Sequence, residues 1–127
     1  MSQEENTKLI MHYFYVEIAT LLGVDAALML NHLIYWIATN SMKGNNYIDG
    51  RYWTYSTIED FRKHFPYWTT AQIRRVLKSL ADQGAILKGN YNKCKYDRTS
   101  WYALNDEKYL LTNYNPIDKI DEWKGKY

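Results

Sequence analysis

Four apolar residues, Ile73, Val76, Leu77 and Leu80, recur at helical spacing and predict a helix over residues 70–83. Thr69 and Gln72 form a T-x-x-Q capping box at its start, and Gly84 can close it in the left-handed conformation. At 100° per residue Arg75, Lys78 and Asp82 point away from the apolar stripe, with Gln72 and Arg74 on its flanks. One face is built for burial and the other is mostly basic. By itself such a helix fits a DNA recognition helix and an ordinary solvated helix equally well.

The flanking pattern tilts that balance. Ser56 and Glu59 suggest a second capping box, opening a short helix near residues 57–65 whose Ile58, Phe61 and Phe65 make an apolar stripe. Pro66 stops it, having no N–H to donate and disfavouring α geometry in the residue before it. Helix, tight turn, helix is the helix-turn-helix order. After Gly84, residues 85–92 read as a strand, 93–98 as a turn and 99–104 as a returning strand. Arg51 to Tyr55, rich in aromatics and threonine, supplies a third strand upstream. The resulting order of strand, helix, helix, strand, strand is that of a winged helix, an α+β and mainly helical class.

Upstream lies a separate apolar layer. Glu17 to Leu22 predicts a short helix stopped by Gly23, while Tyr13 to Val16 reads equally well as extended or helical. Asp25 caps a longer helix to about Asn40, in which Ala26, Leu28, Met29, Leu30, Leu33, Ile34, Trp36 and Ile37 leave little polar face. Such a helix is expected at the centre of the core, with part of it meeting a second subunit. Residues 41–46 read as a polar loop, and Asp49-Gly50 between β-formers as a two-residue hairpin turn. Asn105 to Leu111 adds a short helix. The expected organisation is one winged-helix domain with extra N-terminal helices over residues 1–112, then a tail or linker start over 113–127.

Net charge is only +2, so its distribution matters more than its sum. Residues 62–98 hold nine basic side chains against two acids, a net +7, and the rest of the chain carries −5. That is the footprint expected of a nucleic-acid-binding surface. A single cysteine, Cys94, excludes an intrachain disulfide and fits a reducing, cytoplasmic setting. The first seven residues are polar and acidic, unlike a signal peptide, and the apolar run from Ala26 to Ala38 is too short to span a bilayer. His12, His32 and His64 stand far apart without metal-ligand spacing, Lys88-Gly89-Asn90 lacks the P-loop pattern, and Glu59-Asp60 suits a helix start. No enzyme, cofactor or metal is expected.

Residues 49–55, 65–68, 73–80 and 92–102, with Ala26 to Leu28 and Leu33 to Trp36 upstream, resemble the winged-helix N-terminal domain of phage and plasmid replication proteins. These include replisome organisers and relatives of the DnaD primosome protein, and the similarity covers about residues 15–105. The resemblance implies origin DNA as partner and self-association. Many family members carry a further domain engaging helicase or its loader, and this chain stops where that domain would begin.

The expected function is therefore double-stranded DNA binding in phage or mobile-element replication, by a homodimer and with replisome proteins as further partners. Thr70, Gln72, Arg74, Arg75, Lys78 and Ser79 are the candidate contacts on the recognition helix, and Lys93, Lys95 and Arg98 on the wing. The competing reading is a protein-interaction or oligomerisation scaffold whose basic face is incidental, and a role in transcription is a further alternative. A variant of the DNA reading stacks single strands on Tyr91, Tyr96 or Trp101.

Overall fold

A computed structural model describes residues 9–113. In chain order they form α1 (Val16–Leu22), α2 (Val24–Lys43), β1 (Tyr47–Ile48), β2 (Arg51–Ser56), α3 (Ile58–His64), α4 (Thr70–Asp82), β3 (Ile86–Gly89), β4 (Ser100–Leu104) and α5 (Glu107–Asn113). The class is α+β, with about half of the described residues helical. The antiparallel sheet runs β1-β2-β4-β3, so the strand before the helix pair joins the hairpin that follows it.

The core lies between α2, the α3–α4 pair and one face of the sheet. Ala26, Met29, Leu30, Leu33, Ile34 and Ile37 lie along α2 at helical spacing and are all buried. They meet Phe61 and Phe65 around α3, Ile73, Leu77 and Leu80 of α4, and Ile86, Tyr102 and Leu104 of the sheet. The expectation of a central α2 holds, but Trp36 stays 37% exposed while Ile37 is fully covered.

Several boundaries move for identifiable reasons. The helix 57–65 box shifts by one residue: Ser56 is the last residue of β2, paired with Ser100, and Thr57 is the cap. Asp60 N–H donates to Thr57 Oγ1 at 3.1 Å, and Thr57 N–H donates to Asp60 Oδ2 at 3.3 Å. Asp25 is not the cap of α2. Gly23, at φ +96°, holds that position without a side-chain bond, and Asp25 sits in the first turn, where the helix dipole still favours a carboxylate. Nor does α2 end near Asn40. Ser41, Met42 and Lys43 contain no breaker, and the helix runs to Gly44, where Asn45 N–H donates to Asn40 O in a Schellman closure. The strand expected to reach Asn92 stops at Gly89, because Asn90 Oδ1 takes the N–H of Asn92 in a local turn.

Two turns follow the sequence closely. Asp49 and Gly50 both have positive φ, 53° and 80°, as a type I′ hairpin between β1 and β2 requires. Gly84, at φ +77°, ends α4 and sends the chain into β3. The helix expected after Asn105 is α5. Asn113, expected to open the tail or linker, belongs to it, and the rest of the expected tail lies outside the described residues.

Candidate nucleic-acid interface

The two helices at the centre of the basic region are pinned by the turn between them. Phe65 and Trp68 stack with centroids 4.8 Å apart, both buried, on either side of Pro66 and Tyr67. Thr69 then opens α4: its N–H donates to Gln72 Oε1 at 2.8 Å, and Gln72 N–H donates to Thr69 Oγ1 at 3.1 Å. Ile73, Val76, Leu77 and Leu80 go into the core, leaving Arg74, Arg75 and Lys78 exposed. The two-faced character read from the sequence is realised in the fold.

The candidate residues do not form one cluster. Arg74 and Lys78 face the hairpin, where with Lys88 they rim a groove of about 440 Å³ floored by Leu77, Ile86 and Tyr102. Arg75 and Ser79 lie on the other side of α4, lining a shallower cleft of about 410 Å³ with Val24 and Asp25 at the α1–α2 junction. Thr70 is half-buried at the first helical position. Local bonds already engage three candidates: Gln72 Oε1 in the cap, Ser79 Oγ as acceptor from Gln83 Nε2 at 2.8 Å, and Lys78 Nζ with Asp82 Oδ2 at 2.6 Å. Among the described residues no ion pair engages Arg74, Arg75 or Lys88.

Lys93, Lys95 and Arg98 are exposed on the ten-residue loop between β3 and β4. Its base is closed by Asn92, whose Nδ2 donates to Asp97 O at 3.0 Å and Thr99 O at 2.7 Å. Asp97 in turn accepts from Thr99 N–H at 2.9 Å, and that bond holds its carboxyl below the usual range. The loop has a fixed neck and a cationic tip. Lys95 lies 5.3 Å from the centroid of the Tyr96 ring, and Cys94 is an exposed free thiol.

Sequence spacing missed two features. Lys88 joins Arg74 and Lys78 only because β3 packs beside α4. The histidines, far apart in the chain, meet at the helix pair: His32 is 4.7 Å from His64 and 5.2 Å from Phe65, and His12 is 4.8 Å from Phe65. Burial pushes His32 down to about 3, with His64 and then His12 adding to the effect. His12 Nδ1 and the Tyr67 hydroxyl share a hydrogen bond of 2.6 Å. No group of three or more metal-ligating side chains occurs among the described residues, and no described helix is long and apolar enough to cross a membrane.

No protein-family model matches the chain, and neither a curated protein nor a solved structure matches it significantly.

Proposed function

We propose that this chain is a winged-helix protein that binds double-stranded DNA, acting in the cytoplasm in phage or mobile-element replication initiation. The observation that carries the reading is the uncovered face of α4, where Arg74 and Lys78 stand beside Lys88. The element order and the pairing of β2 with β4 support a winged helix. In that frame α4 enters the major groove, where an arginine bonds a guanine edge through two parallel hydrogen bonds. Lys93, Lys95 and Arg98, on a loop rather than a helix, suit phosphates or an adjacent minor groove. The replication role rests on the resemblance alone.

The test is titration of a labelled candidate-site duplex, a random duplex and a single strand at two salt concentrations. Arg74→Ala is expected to flatten the discrimination between the two duplexes. Lys93→Ala with Lys95→Ala should weaken both alike and reduce the salt slope by roughly one to two. Unchanged duplex affinity in all these variants removes the reading.

A scaffold role draws support from a different surface. Leu9, Ile10, Val16, Leu21 and Val24 are 96%, 85%, 68%, 80% and 52% exposed in one stretch of chain, apolar surface of the kind that self-association covers. Pairing of two copies there would set two α4 helices on a two-fold axis and call for a roughly palindromic site. Sedimentation equilibrium of the wild type and Leu21→Glu decides it: a monomer in both cases rejects self-association through this stretch.

A further inference from the structure

The sheet has a second face, turned away from the helices, and it is aromatic. Strand alternation puts Tyr52, Tyr102, Leu104 and Ile86 toward the core and Trp53, Tyr55 and Trp101 outward. Tyr55 and Trp101 are cross-strand partners with centroids 4.7 Å apart and planes 38° from parallel. Trp101 lies 5.7 Å from Tyr91, and Tyr91 lies 4.9 Å from Trp53, so four rings run in contact across the sheet. Gly89 is part of that packing, since a Cβ there would come within 3.1 Å of both the Trp53 and Tyr91 rings.

The polar ends of three of these rings are tied off. Trp53 Nε1–H donates to Ile48 O at 2.9 Å, Trp101 Nε1–H to Asn92 Oδ1 at 2.7 Å, and the Tyr91 hydroxyl to Asp49 at 2.8 Å. Rings fixed by their edges keep a stable orientation, and Tyr55 offers its surface at 56% exposure. One margin of the array is equipped for a polyanion and the other for a base. On one side Asn92, which orients Trp101, also closes the neck of the loop carrying Lys93, Lys95 and Arg98. The acids at this margin, Asp49 and Asp97, are both held by local donors. On the other side β1 pairs with Arg51 and Tyr52, Trp53 N–H donates to Asn46 O and Trp53 O accepts from Asn40 Nδ2, which leaves the edge of β2 open from Thr54 onward. A cleft of about 640 Å³ occupies that edge, bounded by Tyr55, Trp36, His64, Asn45 and Asn46 and by Lys63, which pairs at 3.8 Å with Asp60 on the same rim. That is large enough for a nucleotide.

We propose that this outer face binds single-stranded nucleic acid, with bases stacked on Tyr55 and Trp101 and one base seated in the Trp36 cleft. Aromatic faces for bases, cations for the backbone and amides for base edges are the components such binding needs. A duplex keeps its bases stacked on one another and offers none of their faces to these rings. The face is separate from α4 and stands whether or not α4 reads duplex DNA. Tyr96, on the loop tip with 80% exposure, has no ring contact with the array and is not part of the platform.

The experiment uses the full chain, an oligothymidine of about ten nucleotides, an abasic oligomer of the same length and a duplex, read by anisotropy and tryptophan quenching. Tyr55→Ala should lower oligothymidine affinity by roughly 5- to 100-fold and Tyr55→Trp should restore it, with duplex affinity unchanged. Trp36→Ala should weaken oligothymidine binding to a smaller degree, and the abasic oligomer should bind weakly to every form. Because Tyr55 is more than half exposed, its truncation leaves no core cavity, and a matching thermal melt verifies the fold. The proposal is overturned if wild type does not bind oligothymidine, if Tyr55→Ala binds it equally well, or if the abasic oligomer binds as tightly. It is equally overturned if Tyr55→Ala alters only sedimentation, since the face would then be covered by a second copy.

Discussion

The two longest helices make opposite uses of the same alphabet. α2 spends its length on Ala26, Met29, Leu30, Leu33, Ile34 and Ile37, all buried, and touches α4, both central strands and α5. α4 buries only Ile73, Val76, Leu77 and Leu80 and turns the rest of its circumference to solvent. A helix covered on several sides makes the fold, and a helix covered on one side is available for something else. Substitutions of the buried α2 residues should therefore move stability and leave duplex affinity alone, whereas substitutions on the outer face of α4 should do the reverse.

The largest expected effect lies in α2. Leu33→Ala removes a side chain that is 1% exposed between α3 and the sheet, and should cost about 2–5 kcal/mol in urea unfolding. Folded Leu33→Ala should still bind duplex as wild type does. A variant that keeps its stability but loses DNA would erase the distinction between the two helices.

His32, also on α2, links that core to pH. Its folded value of about 3 lies below the ordinary 6.5, so the unfolded chain binds a proton that the folded chain refuses. Stability from this group is complete above about pH 6.5 and is lost as pH falls toward about 3. At pH 5 the loss should reach about 2 kcal/mol, and His32→Gln should reduce it. Burial of His12 acts in the same direction. Denaturant curves for both proteins at pH 7.5 and pH 5 measure the difference, and identical pH dependence would place the acid sensitivity elsewhere.

On α4 the expected loss is in binding. Arg74→Ala should cost about 1–3 kcal/mol on a preferred duplex while leaving unfolding midpoints within about 0.5 kcal/mol of wild type. Arg75→Ala should matter less than Arg74→Ala, since Arg75 lines the cleft with Asp25 rather than the groove with Lys88. Equal losses at the two positions would mean that the crest of α4, not its hairpin side, meets the DNA.

How much of this was legible in the sequence follows from the range of the interactions. The α4 box, its apolar stripe and the Asp49-Gly50 turn are set by residues within four positions of one another, and all three stand where the pattern puts them. The cap of α3 slipped by one because Ser56 and Thr57 are both good caps, and only pairing of Ser56 with Ser100 assigns the first to the strand. Nothing local could place Lys88 beside Arg74, bring His12 and His32 to Phe65, or align Tyr55 with Trp101. Those neighbours are 14, 53, 33 and 46 positions apart in the chain and meet only once the sheet and helices pack.

The smallest expected effect separates DNA binding from scaffold most directly. Lys78 and Asp82 pair at 2.6 Å on the outer face of α4, with side chains 75% and 62% exposed. An exposed i, i+4 pair of this kind contributes only about 0.3–0.5 kcal/mol to folding. Asp82→Asn should therefore cost less than about 0.5 kcal/mol in stability. It also removes the one acid on that face and frees Lys78 for a phosphate. Duplex affinity should rise by roughly 0.5 kcal/mol at low salt, and the gain should fade as salt screens it. If α4 serves only as packing for a scaffold, the same substitution leaves duplex affinity flat at every ionic strength, so a titration series from low to high salt distinguishes the two.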